Sequence, residues 1–283
     1  MRVLRTLMPR KARHPVSYKL KRACGAIKSF LIEFSIITTP RHLGAVTRER
    51  TDLMLYSILF SGGRVNFLEI VMHILATLVV ITVILPFHEL AHGFIAYKLG
   101  DDTAKRMGRL TFNPLNHIDP IGALCLLLVG FGWAEPVPVN MRRLKNPKRD
   151  MALVALAGPM ANLIAALVGA ILNNLFVVLL SAHFSEAVWF DAIEFFFEYY
   201  VVVNVGLAIF NLIPLPPLDG SKILASFLPD GAYEKFLLNE RKLSSILIIC
   251  IALGIVDKIV AIPESFVLTF IYFLAGLPFR LFI

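Results

Sequence analysis

The sequence predicts an all-α, polytopic membrane protein with about five to six transmembrane helices. Three observations predict it. The 283-residue chain is 57% hydrophobic, and its mean hydropathy of +0.73 exceeds that of soluble globular domains. Several apolar stretches approach or pass the roughly 18–20 residues needed to cross a bilayer. The loops between them differ in basic charge, as loops on opposite sides of a membrane do. No stretch outside the apolar segments is long or patterned enough for a separate folded domain.

The elements follow in order. Residues 1–53 form a basic extension, with 12 Lys/Arg against Glu33 and Glu49 in residues 1–50. Such a tail beside membrane spans suits an anionic lipid surface. No nucleic-acid module accompanies it, so no nucleic-acid partner is expected. Within it, "GAIKSFLIEFSII" (25–37) fits an interfacial helix and is short for a span. No apolar core followed by a small-residue cleavage site marks a signal peptide.

The first clear span runs from Val65 to about Leu99, with Pro86 as a candidate kink. Residues 100–150 are polar and rich in Gly and Pro. They enclose "IGALCLLLVGFGW" (121–133), which suits a short re-entrant segment, and "AEPVPVN", which suits an extended edge strand or loop. A second span covers Met151 to about Leu180, and a third Phe195 to about Leu215. Stretches 244–262 and 265–283 are expected to form a terminal hydrophobic hairpin. Cys24, Cys125 and Cys250 are far apart and form no disulfide framework or sulfur metal site.

Loop charges give the topology. Residues 100–150 carry eight Lys/Arg, 183–194 none, and 218–243 four. Loops 100–150 and 218–243 are therefore expected in the cytoplasm. The same topology puts the basic N-terminal tail outside. Either 25–62 enters the membrane, or the tail is absent from the usual product.

The chemistry centres on "LPFHELAHGF" (85–94). In a helix, His88 and His92 lie about 40° apart and one turn along one face, so both imidazoles can reach one ion. Glu89, rotated to one side, suits a general base. Two buried histidines satisfied by neighbouring helices are the plainer reading. An ionisable Glu flanked by two His inside a span weighs against it. A catalytic zinc takes three protein ligands. His92 lies about 9 Å from the inner end of its helix, and "NLIPLPPLDG" (211–220) reaches the same side. Asp219 after Pro214, Pro216 and Pro217 is a plain turn on its own, and the best third ligand beside the His pair.

His88-Glu89-x-x-His92 together with "NLIPLPPLDG" resembles the site-2 protease family of intramembrane zinc metalloproteases. "GDDTAKRMGRLTFNPLNHIDPIG" (100–122), "GFGWAEPVPVN" (130–140) and "RDMALVALAGPMAN" (149–162) resemble its compact bacterial branch, which lacks PDZ and CBS domains. The resemblance covers about residues 54–225, the expected protease core, and leaves 226–283 as a C-terminal loop and hairpin. Compact members of the family start near "MLYSILFSGG", which makes Met54 an alternative start and would remove the conflict over the tail. It implies one zinc ion per chain on His88, His92 and Asp219, with Glu89 as catalytic base. It also places Asn211, Pro214 and Pro216 beside a bound substrate strand. The implied partners are the lipid bilayer and a membrane-protein substrate, cut at a site facing the cytoplasmic side of the cell membrane.

Other residues carry two readings each. Asn162 either hydrogen-bonds across helices or stabilises a developing oxyanion. Gly158 fits close helix packing. His117 fits turn stabilisation better than a second metal site, and His73 fits core packing better than ligation. Segments 106–112 and 134–140 are candidate edges for an extended substrate. Two rivals remain for the whole chain: a polytopic metal transporter, and an inactive membrane scaffold.

Overall fold

A computed structural model describes residues 67–129, 132–184 and 187–279. The basic extension 1–53, its 25–37 segment and the Met54 start lie outside the described residues. The described residues are mostly helical, and among them four helices are long and apolar enough to cross a membrane: Ile70–Lys98, Pro147–Ser181, Val188–Asn211 and Ile255–Phe279.

The first span is composite. Helix α1 (Phe67–Val79) passes through a π-helical turn, Val80–Ile84, into α2 (Leu85–Lys98). Pro86 supplies the physical reason. It has no N–H and its ring crowds the carbonyl four residues back. The ladder widens just before it, and Leu85 N–H bonds to Val80 O, five residues away. The kink expected at Pro86 thus takes the form of an inserted wide turn.

The polar connection holds α3 (Thr103–Arg106) and the short α4 (Pro120–Val129), where a re-entrant segment was expected. The edge strand is reduced to one isolated bridge among the described residues, between Ile118 and Ala134. His117 is fully buried and its Nε2 donates to Thr111 O at 2.8 Å, which is the turn-stabilising role. His73 is also buried and lies against the Tyr199 ring, centroids 4.6 Å apart, as core packing requires.

Helices α5 (Pro147–Phe184) and α6 (Val188–Asn211) form the centre of the bundle. Small residues allow their contact: Ala166 and Ala170 pack against Val201, Val202 and Val205. At Gly169 a Cβ would fall 2.6 Å from the Tyr200 ring. Such close approach replaces the hydrophobic drive that lipid removes. After the loop come α7 (Asp219–Ser226), α8 (Asp230–Leu238), α9 (Glu240–Ala252) and α10 (Ile255–Gly276).

The C-terminal hairpin differs from expectation. The 13-residue α9 is about 20 Å long, short of the roughly 30 Å hydrocarbon core. It stops before Gly254, whose φ is 65°, and α10 then runs unbroken through Pro263. Asp257, which weakens an apolar span in sequence, falls in the first turn of α10, where a carboxylate favours the helix dipole. The expected span 244–262 is therefore a short helix plus the start of α10.

Candidate metal centre

Helix α2 presents His88 and His92 one turn apart, both buried, toward α5. Their rings meet edge-on with centroids 4.7 Å apart. Asp219 arrives as the first residue of α7, delivered by the proline-rich turn after α6. Its Oδ2 lies 3.3 Å from His88 Nε2 and 3.0 Å from His92 Nε2. The two Nε2 atoms are 3.0 Å apart.

These three atoms fit a metal ion. Ligands about 2.0–2.1 Å from a tetrahedral centre stand roughly 3.3 Å from one another. The outer ring nitrogens are already engaged: His88 Nδ1 with Asn162 Oδ1 at 3.0 Å, and His92 Nδ1 with Val154 O at 2.6 Å. A proton on each Nδ1 leaves the Nε2 lone pairs facing one another and a carboxylate, an arrangement that calls for a cation. Histidine ligands oriented by a carbonyl or amide oxygen are the usual outer shell of such sites. Among the described residues this is the only group of three potential ligands able to hold a metal ion.

Helix α5 passes directly over the imidazoles at Gly158. A Cβ there would lie 2.4 Å from His92 Nε2 and 2.5 Å from His88 Nε2. Gly158 therefore does more than allow helices to pack; it leaves room for the site itself. Asn162, one turn on, makes the hydrogen bond across helices that was one of its two readings. Its Nδ2 is buried without a hydrogen-bond partner among the described residues.

Glu89 is half-buried, and its Oε2 accepts the backbone N–H of Val137 at 2.8 Å. Lys222 Nζ lies 3.0 Å from Asp219 Oδ1. Burial opposes charge on Asp219, and the Lys222 ammonium beside Oδ1 favours it. Sequence reasoning missed Val154, Val137 and Lys222. Only Lys222 left a signal, one turn after Asp219 on the same helix.

The proline-rich turn is folded tightly. At Gly220 a Cβ would lie 2.2 Å from Leu212 O. Asn211 Nδ2 donates to Leu207 O on its own helix at 3.0 Å. Pro214 is exposed, while Pro216 is buried and, with Pro217 and Lys222, lines a cavity of about 190 Å³. The structure thus brings His88, His92, Asp219 and Asn162 together, with Glu89 on the neighbouring helix face. Asn211, Pro214 and Pro216 lie along the turn that leads to Asp219.

A helical membrane bundle enclosing a buried His-His-Asp cluster beside a carboxylate defines a membrane-embedded metal hydrolase. Residues 172–256 match the family described as Peptidase family M50. The chain is 47% identical over 165 residues to "Putative zinc metalloprotease YwhC" of Bacillus subtilis, covering 57% of this chain and 74% of that one. Rip2 of Mycolicibacterium smegmatis, named in the same terms, is 33% identical over 144 residues, or 48% of this chain and 51% of Rip2. A relative in Methanocaldococcus jannaschii is 30% identical over 138 residues, or 49% of this chain and 63% of its own. The matches thus span about half of the second relative and under two thirds of the third. No solved structure matches significantly. The chain belongs to peptidase family M50, the site-2 protease family. It is a multi-pass membrane zinc metalloprotease, and its substrates are membrane proteins.

Proposed function

We propose that this protein holds one zinc ion on His88, His92 and Asp219 and uses Glu89 as general base to hydrolyse peptide bonds in or near transmembrane segments. The observation that carries the reading is the convergence of His88 Nε2, His92 Nε2 and Asp219 Oδ2 at 3.0–3.3 Å beside Glu89. When bound, zinc supplies a Lewis acid for the scissile carbonyl and a water of lowered pKa.

The chain's own groups do the rest. Asn162 and Val154 O orient the imidazoles. Glu89 takes the proton of the attacking water and passes it to the leaving amine. Asn162 Nδ2 is a donor free to meet a developing oxyanion. A substrate helix hides its carbonyls, so it must unwind locally, and Asn211, Pro214 and Pro216 lie where an extended strand would approach Asp219. In this reading 54–225 is the protease core. The basic loops 100–150 and 218–243 support a site that faces the cytoplasmic side of the cell membrane.

The test is Glu89→Gln. The variant is expected to keep its zinc and lose cleavage of membrane-protein substrates, measured by proteomics of membrane fractions beside the wild type. Substantial residual proteolysis by the zinc-loaded variant refutes the role. A transporter would instead move metal into liposomes irrespective of Glu89.

A further inference from the structure

We propose that segment 134–140 is a fixed brace for the catalytic base, with the Val137 N–H and Arg109 as positioning groups for Glu89. The inference rests on the reading of Glu89 as base.

The sequence Pro136-Val137-Pro138 carries one main-chain donor, because proline has no N–H. That donor, Val137 N–H, meets Glu89 Oε2 at 2.8 Å. Gly93, one turn beyond Glu89 on α2, makes the approach possible. A Cβ at Gly93 would lie 3.0 Å from Val137 Cγ1 and 3.1 Å from Leu110 Cδ1. Val137 is accordingly buried against the helix.

The segment is pinned on both sides of Val137. Glu135 N–H donates to His117 O at 2.8 Å. Asn140 N–H donates to Asp101 Oδ2 at 2.6 Å, and Asp101 is buried. Between these points one guanidinium makes three contacts. Arg109 donates to Glu135 Oε1 at 2.7 Å, Glu135 O at 2.9 Å and Pro136 O at 3.3 Å.

The last contact is the informative one. Pro136 O and Val137 N–H belong to the same peptide unit, which is planar and rigid. Holding its oxygen fixes the direction of its N–H, and a cation on the oxygen strengthens the N–H as a donor. The terminal torsion of a Glu side chain is otherwise broad. With Oε2 tied, Oε1 is left in a defined place for proton transfer. The same tie removes the Val137 amide from any substrate strand.

The full chain in detergent is assayed with quenched fluorescent casein, an unfolded probe that needs no helix unwinding. Zinc content is measured in parallel. Arg109→Met and Val137→Pro are expected to lower kcat about 10²-fold, the effect of misplacing a reacting group by about 1 Å. KM should stay within about twofold and zinc at the wild-type level, because neither group touches substrate or metal. Arg109→Lys should restore part of the loss. Hydrogen exchange gives an independent readout that needs no substrate. The prolines carry no amide, so exchange across 136–138 reports Val137 alone, and it should accelerate in both Arg109→Met and Glu89→Ala. Wild-type kcat in Arg109→Met, a loss of kcat that follows a loss of zinc, or unchanged Val137 exchange in both variants overturns the brace. Should Val137→Pro fail to fold, Arg109→Met and the exchange measurement decide. Zinc-loaded Glu89→Gln at wild-type activity sinks the base assignment itself, which separates that failure from failure of the brace alone.

Discussion

Lys222 and Asp219 divide the work of one carboxylate. Lys222 Nζ holds Oδ1 at 3.0 Å, while Oδ2 faces His88 and His92. The ammonium thus leaves Oδ2 as the one oxygen that faces the imidazoles. Its side chain is 42% exposed, so solvent weakens the pair. Lys222→Met is expected to lower zinc affinity by about tenfold, the small end of what oriented outer partners contribute. Competition with a chelator measures it, and unchanged affinity contradicts the role.

Gly158→Ala inserts a methyl group 2.4 Å from His92 Nε2. Either α5 retreats or the imidazoles rotate, and ligand distances must hold within about 0.2 Å. The variant is expected to fold in detergent and to lose zinc affinity roughly 10²-fold. Metal analysis of the purified protein checks this. Full zinc occupancy in Gly158→Ala at limiting zinc would speak against the site.

Asn162→Leu removes the oxygen that accepts from His88 Nδ1. The ring loses its fixed tautomer, and zinc affinity should fall about 10- to 100-fold. Asn162→Asp keeps an acceptor there and should retain most of the affinity. Equal losses in both variants would show that Nδ2, not Oδ1, is the atom that matters.

Gly220→Ala acts through the fold. Its methyl group would sit 2.2 Å from Leu212 O, a backbone atom that cannot swing aside. Overpacking of this kind costs about 1–3 kcal/mol. A lowered melting temperature in detergent, in zinc-free as well as zinc-loaded protein, is the expected result. A wild-type melting temperature would mean that the turn between α6 and α7 yields easily.

The site was legible where chemistry resides in side-chain types at fixed spacing. His88, Glu89 and His92 declare themselves through helical periodicity, and Asp219 through the prolines that end α6 before it. Val154 and Val137 were invisible for the opposite reason. They act through a carbonyl and an amide that every residue carries, so only the folded path of the chain selects them. Arg109 is 26 residues from Glu135, and nothing local joins them. In the fold, the apolar stretches 244–262 and 265–283 put the C-terminal break near Pro263, whereas the helices break at Gly254 and neither Asp257 nor Pro263 interrupts α10. One lies in the first turn of α10, and the bundle tolerates the other within it.

The π-helical turn at Val80–Ile84 has a last consequence. It stores one residue more than an α-helix of the same rise, so the side-chain pattern of α1 is offset by one position from that of α2 while the two helices keep their direction. Val80, Ile81 and Ile84 fill the core from within the turn itself. One span thus carries two separately counted faces, the packing face of α1 and the imidazole face of α2, joined by a main-chain irregularity that the core holds in place.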